Sequence, residues 1–251
     1  MVNFVGAGPG AEDLITIRGA KLLGSADVII YAGSLVNPAL LQYAREGCEI
    51  YNSALMNLEE VMEVMLDAER KGKMTVRLHT GDPCLYGAIR EQMDLLEEYG
   101  IAYEYCPGVS SFCAAASSLN AEYTLPGVSQ TVIITRMAGR TPVPERENIS
   151  SLAAHGATMV IFLSTGMLKE LSEELMAGGY AKETPAAICY KASWPEQKVC
   201  RCSVGNLYET AVNNDIKKTA LIVVGNILGD DYALSKLYDK SFETEYRKAK
   251  E

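Results

Sequence analysis

The residues best suited to chemistry lie in short loops rich in glycine and proline, each placed where a strand is expected to end. Gly6-Ala7-Gly8-Pro9-Gly10 follows Val2 to Val5, Thr80-Gly81-Asp82-Pro83-Cys84-Leu85-Tyr86-Gly87 follows Thr75 to His79, and Pro107-Gly108-Val109-Ser110-Ser111 follows Ala102 to Cys106. Glycines let backbone N–H groups approach a ligand without side-chain obstruction, so three such loops point to a ligand held largely by main chain. Asp82 puts a carboxylate inside the second loop, at a position that equally suits a turn former or a helix N-cap. Ser110 and Ser111 could simply cap the helix they begin, or could offer hydroxyls and free N–H groups to a carboxylate.

Read alone, the first loop misleads. Gly6-x-Gly8-x-x-Ala11 satisfies a relaxed dinucleotide fingerprint. A dinucleotide fold, however, wants an acid at the end of its second strand, and Val28-Ile29-Ile30-Tyr31-Ala32-Gly33 ends without one. Pro9 also removes an N–H where a pyrophosphate-binding turn would use it. The common doubly wound methyltransferase loop usually follows an acidic residue, and here Phe4-Val5 precede Gly6. No G-x-x-x-x-G-K-[ST] stretch occurs, which disfavours a P-loop nucleotidase.

The elements that must position these loops read as strand, loop and helix in repetition. Val2 to Val5, Val28 to Tyr31, Thr75 to His79 and Ala102 to Cys106 are the strands of a first lobe. Asn57 caps an amphipathic helix whose stripe of Leu58, Val61, Met62, Met65 and Leu66 recurs at helical spacing and reads as core packing. Such alternation predicts a largely parallel sheet with helices on both faces and ligand loops at the carboxyl ends of its strands. The helical pattern stops around Leu119 to Val128, so the lobe boundary is placed there, dividing the chain into 1–120 and 121–251. The second half offers strands from Thr131 to Thr135 and Thr158 to Leu163, then a helix with Leu168, Leu171 and Leu175. Ala186 to Tyr190 and Val199 to Cys202 read as hairpin partners across Trp194-Pro195-Glu196-Gln197, and Ala220 to Val224 as a closing strand. That lobe is therefore expected to be a mixed α/β lobe.

Composition sets the limits. The chain has 251 residues, 48% hydrophobic and 22% charged, the balance of a folded globular protein. Its formal net charge of -9 and the lack of any Lys/Arg run longer than two residues argue against a nucleic acid partner. No stretch approaches the roughly 18 apolar residues of a membrane span, and the first residues lack the features of a signal peptide. Seven cysteines without a C-x-x-C suggest free thiols in a reducing compartment, the cytoplasm by default. Cys200 and Cys202 would share one face of a strand, and only His79 and His155 could join them. They read as packing residues, with no metal site expected.

The three loops in their order resemble the N-lobe motifs of the tetrapyrrole (corrin/porphyrin) methylase family, and Thr219-Ala220-Leu221-Ile222-Val223-Val224-Gly225 resembles its closing strand. The likeness spans nearly the whole chain. Tyr31-Ala32-Gly33-Ser34-Leu35-Val36-Asn37 and Thr135-Arg136-x-x-Gly139-Arg140-Thr141-Pro142-Val143-Pro144-Glu145 further resemble the branch that methylates C11 of precorrin-4 or cobalt-precorrin-4 in vitamin B12 synthesis.

The resemblance implies a two-lobed methylase fold with S-adenosylmethionine as methyl donor, held folded in a cleft between the lobes. It implicates Pro9, Gly81, Asp82, Leu85, Ser110 and Ser111 in the first lobe, and Leu163, Ala187 or Tyr190, and Ala220 in the second. Methyl transfer would be an in-line displacement by an electron-rich macrocycle carbon, with Asp82 the candidate to orient donor or substrate or to help remove a proton. The acetate and propionate groups of a tetrapyrrole would be met by Arg136 and Arg140, with Tyr86 beside them. Arg140 equally reads as solvated loop charge, and Lys191 and Arg201 are weaker candidates. A homodimer is also implied. The alternatives are a methylase acting on precorrin-3B, uroporphyrinogen III, ribosomal RNA or the diphthamide precursor, and a non-catalytic tetrapyrrole carrier.

Overall fold

The structure is a computed structural model and describes residues 1–250. The chain forms two compact units, one of residues 1–114 with 191–197, the other of residues 115–190 with 198–251. The division thus falls after Ala114, and a short segment from late in the sequence belongs to the first unit.

The first unit carries strands β1 (Val2–Gly6), β2 (Val28–Tyr31), β3 (Glu49–Asn52), β4 (Thr75–His79) and β5 (Tyr103–Cys106). They form one sheet in the order β3-β2-β4-β1-β5, and every pairing is parallel. Helix α1 (Ile17–Ser25) is capped by the Thr16 side chain, which accepts from the Gly19 amide at 3.0 Å. Helix α2 (Leu58–Arg70) begins with a full capping box between Asn57 and Glu60, satisfying two backbone donors reciprocally. Helix α3 (Arg90–Glu98) follows β4, and α4 (Ser111–Leu119) begins after β5.

Period-two alternation sends Val5, Ile29, Val76 and Leu78 to one face of this sheet, where Leu23 of α1 packs. Phe4 and Ile30 go to the other, against Val61, Met62 and Met65 of α2 and Leu96 of α3. Helices therefore cover both faces, as the sequence pattern requires. The structure adds β3, which the apolar pattern does not reveal. It pairs only with β2, and Glu49 and Ile50 are exposed, so an edge strand here needs no apolar run.

The second unit carries β6 (Val132–Arg136), β7 (Thr158–Phe162), β8 (Pro185–Tyr190), β9 (Lys198–Ser203) and β10 (Ala220–Val224), ordered β6-β7-β10-β8-β9. The β6/β7 pair is parallel and the rest antiparallel, including the β8/β9 hairpin, so the sheet is mixed. Helices α5 (Ile149–Ala153), α6 (Leu168–Ala177) and α7 (Leu207–Asn213) pack on one face through Ile149, Leu171, Leu175 and Leu207, against Met159, Ile161, Ile188 and Ile222. Helix α7 is also new. It buries only Leu207 and Ala211, too short a stripe to stand out by periodicity. The seven cysteines are free thiols; Cys106 and Cys189 are buried, and Cys200 and Cys202 pack beside the second unit's core.

Candidate functional site

Because all five strands of the first unit run parallel, their carboxyl ends and the loops that follow lie along one edge of the sheet. The order β4-β1-β5 makes the three glycine loops immediate neighbours. Gly8 and Gly81 exchange backbone hydrogen bonds, 2.7 Å and 3.2 Å long. A Cβ added at Gly6 would lie 2.5 Å from the Gly108 Cα and 2.7 Å from the Gly81 carbonyl oxygen. Three backbones meet in a space that admits no side chain, which is the physical reason for glycine in each loop.

Asp82 joins two of these loops. Its Oδ2 accepts from the Gly108 amide at 2.9 Å, and its Oδ1 accepts from the Cys84 amide at 2.9 Å and from the Tyr105 hydroxyl. Burial works to raise its pKa, but these three donors and the Cys84 thiol outweigh it and hold the carboxyl below its usual range. The Tyr105 phenol is pushed up by burial and by Asp82, so it stays protonated as a donor. With both oxygens engaged, the Asp82 carboxylate holds the Gly81 and Gly108 loops together.

Ser110, buried, immediately precedes α4, and Ser111 is its first residue. Among the described residues their amides have no hydrogen-bond partner, as expected for the first turn of a helix, and a Cβ at Gly81 would lie 3.3 Å from the Ser111 amide. Pro9 presents its carbonyl to Trp194 Nε1 at 3.0 Å, the neighbouring Gly10 carbonyl accepts from Asn37 Nδ2 at 2.8 Å, and the Ala11 amide donates to Ser193 Oγ at 3.0 Å. A Cβ at Gly10 would sink into the indole ring of Trp194. The first loop is thus braced by two segments distant in sequence. Lys191 lies 5.1 Å above the Trp194 ring and pairs with Glu196 at 3.6 Å, so its charge serves its own turn.

Leu85 and Tyr86 line a pocket of about 280 Å³ on the α2/α3 side of the sheet. Tyr86 adopts φ 57° and Ala88 φ 48°, left-handed values that cost of order 1–3 kcal/mol each in non-glycine residues and concentrate at functional sites. Arg77 and His79 of β4 line the same pocket. The sequence reading assigned Arg77 no role and considered His79 only as a metal ligand. The available signal was a charge alternating with apolar residues inside a buried strand.

In the second unit, the ends of β6, β7 and β8 and the start of β10 share one end of the sheet, since Ala220 pairs with Tyr190 and Ile222 with Ile161. This gathers Arg136, Leu163, Tyr190 and Ala220 there. Leu163 has φ 53° and is 61% exposed, and Thr219 before Ala220 has φ 59°, so strain and exposure coincide at this end. Ala187 pairs with Val223, three residues further into the sheet, and is fully buried. The Arg136 guanidinium donates to the carbonyls of Met137, Thr141 and Pro142, at 3.1, 3.2 and 2.8 Å, and so folds its own loop. Arg140 is exposed at the tip of that loop and has no ion pair or hydrogen bond among the described residues. Arg201 spends its side chain on the Leu119 and Leu228 carbonyls.

Among the described residues, no helix is long and apolar enough to cross a membrane, and no three His, Cys, Asp or Glu side chains could hold a metal ion. Over residues 1–208 the chain matches the family model of the Tetrapyrrole (Corrin/Porphyrin) Methylases. A cobalt-precorrin-4 C(11)-methyltransferase of Methanocaldococcus jannaschii is 57% identical over 249 residues, covering 99% of this chain and 96% of that one. The X-ray structure of a cobalamin biosynthetic enzyme, a cobalt precorrin-4 methyltransferase, is similar with a TM-score of 0.89 at 47% identity, covering 91% of this chain and 96% of that one. The uroporphyrin-III C-methyltransferase of Thermus thermophilus complexed with S-adenosylhomocysteine is similar with a TM-score of 0.75 at 25% identity, covering 91% and 93%. The interlocked glycine loops, the parallel and mixed sheets that carry them, and these matches have one explanation: the chain belongs to the tetrapyrrole methylases.

Proposed function

We propose that this chain transfers a methyl group from S-adenosylmethionine to C11 of precorrin-4 or its cobalt complex, a step of cobalamin biosynthesis. The observation that carries the reading is the set of three glycine loops closed on one another, two by Asp82 and the first through the Gly8–Gly81 pair, within a chain 57% identical to a cobalt-precorrin-4 C(11)-methyltransferase. S-adenosylmethionine brings a methyl group already activated on a sulfonium. What remains for the protein is proximity and orientation, which can contribute roughly 7–11 kcal/mol, and no strong base is needed.

The first unit fits such a donor. The free amides of Ser110 and Ser111 at the start of α4 suit the methionine carboxylate, and the Pro9, Gly81 and Leu85 backbone offers a surface without side-chain obstruction. Asp82 holds that surface in shape. Leu163, Tyr190 and Ala220 are the second unit's candidates for donor contact, and Ala187 is the weaker alternative because it lies inside the sheet. Arg140, with a free guanidinium, is the candidate for a substrate carboxylate, while Arg136 shapes the loop that presents it.

The seven free thiols fit a cytoplasmic protein. Tyr232, Leu234, Tyr238 and Tyr246, all exposed near the C-terminus, fit a homodimer in which a second copy covers them. Light scattering measures that state directly. The test of function is incubation with S-adenosylmethionine and precorrin-4 or cobalt-precorrin-4. Mass spectrometry should find one added methyl and NMR should place it at C11; a methyl on any other carbon refutes the assignment. Calorimetry with S-adenosylhomocysteine should show binding, and its absence would remove the methyltransferase reading in favour of a carrier.

A further inference from the structure

The pocket beneath the Leu85–Ala88 turn contains a charge that the protein leaves uncompensated. Arg77 is 7% exposed, and its Nε and Nη1 donate to Gln92 Oε1 at 3.1 Å and the Ile30 carbonyl at 3.2 Å. Both acceptors are neutral, and among the described residues no carboxylate pairs with it. Gln92 is held in turn by the Ala88 carbonyl at 2.8 Å, so the guanidinium is fixed in place by the strained turn itself. His79 lies two residues on along β4, on the same face, and is 4% exposed. Its Nε2 is buried and has no hydrogen-bond partner among the described residues, an unusual state for a polar atom inside a protein. Both side chains line one pocket that opens to solvent.

A buried cation is retained in a folded chain only where something compensates it, because taking it out of water costs several kcal/mol. Burial lowers the Arg77 pKa to about 10, which still leaves it charged at neutral pH. Burial and the Arg77 charge lower that of His79 to about 3, so the imidazole is neutral and offers one N–H. The one acid of the lining is Glu91, exposed at the rim. One full positive charge, one neutral donor and an acid at the mouth suit a monoanion. A phosphate dianion would meet too little positive charge and would be repelled by Glu91.

We infer that this pocket is a carboxylate subsite, in which the Arg77 guanidinium and the His79 ring receive one acetate or propionate arm of the macrocycle. The inference rests on the proposed tetrapyrrole substrate and adds what the loop arginines do not supply: an anchor on the first unit. Leu85, Tyr86 and Gly87 form the pocket wall and belong to the loop that Asp82 fastens. An arm seated against Arg77 therefore fixes the ring relative to the Gly81 loop. Tyr86, exposed and strained, stands at the entrance.

The chain contains two histidines, His79 and His155, and His155 is exposed, so ring NMR signals give a probe and an internal control. Titration with propionate should displace the His79 resonance saturably and leave His155 in place. Arg77→Met should abolish that displacement and raise the macrocycle KM about ten- to hundredfold, the loss expected for a charge-assisted contact, with S-adenosylhomocysteine affinity unchanged. Since Arg77 is buried and its replacement risks the fold, Glu91→Gln at the exposed rim provides a second reading of opposite sign: propionate should bind about threefold more tightly. Absence of a saturable displacement, equal displacement in Arg77→Met, or displacement by inorganic phosphate at the same concentration overturns the inference. A clear propionate site in a protein that adds no methyl to precorrin-4 would uphold the carboxylate subsite and overturn the proposed substrate instead.

Discussion

Replacing Asp82 distinguishes a brace from a base. Its carboxylate accepts from the Gly108 amide on one oxygen and from the Cys84 amide and the Tyr105 hydroxyl on the other. Hydrogen bonds to charged acceptors contribute about 1.5–3 kcal/mol each, and partial exposure reduces this, so Asp82→Ala should cost about 3 kcal/mol of stability. Asp82→Asn keeps the shape but has one oxygen, so its NH₂ must face a donor on one side, at about 1–2 kcal/mol. That strain falls on the contact between the Gly81 and Gly108 loops. Donor affinity, measured by calorimetry with S-adenosylhomocysteine, should therefore weaken roughly five- to thirtyfold, with the thermal midpoint falling in parallel. The pH dependence follows the same bonds. The folded pKa lies below the ordinary aspartate value, so the stabilisation is fully present above that value and is lost as pH falls through the lower folded pKa. In Asp82→Asn this acid-side loss should shrink. An Asn variant with wild-type donor affinity and midpoint but a kcat reduced a hundredfold would refute the bracing argument and restore Asp82 as the proton acceptor.

Further perturbations test neighbouring parts of the site. Gly108→Ala would place a Cβ 2.7 Å from the Gly6 Cα, a clash between backbones that cannot be relieved by a rotamer change; loss of donor binding with a lowered denaturation midpoint is expected. Trp194→Phe removes the bond to the Pro9 carbonyl, for about 1 kcal/mol or roughly fivefold weaker donor binding by calorimetry. Because Trp194 is the single tryptophan, fluorescence of the wild-type protein should respond directly to S-adenosylhomocysteine. Arg140→Ala should raise the macrocycle KM about tenfold and leave stability alone, whereas Arg136→Ala should release three backbone carbonyls and make the 136–144 loop sensitive to limited proteolysis.

The path from sequence to site was uneven for reasons visible in particular residues. The strands from Val2, Val28 and Ala220 declared themselves because burial on both faces demands largely apolar runs. Asn57 declared the start of α2 because its cap is a local bond. Strand β3 and helix α7 did not, the first being an edge and the second burying two side chains. The three glycine loops were legible as a set, since their spacing follows the strand ends. Which atoms they bring together was not.

What the sequence by itself determined is the alternation of strand, glycine loop and helix, the mixed second sheet, and the family to which that ordered set of loops belongs. These depend on periodicity and turn chemistry over a few neighbouring residues. Only the tertiary structure decided that Asp82 spends both oxygens on its neighbours, that Arg136 folds its own loop, and that Trp194 supports Pro9 across 185 positions of sequence. It also decided that Arg77 and His79 share a pocket in which, among the described residues, no carboxylate pairs with them. The physical reason is common to all four: a polar side chain's role is set by which donors, acceptors and charges surround it after folding, and the nearest of these are often remote along the chain.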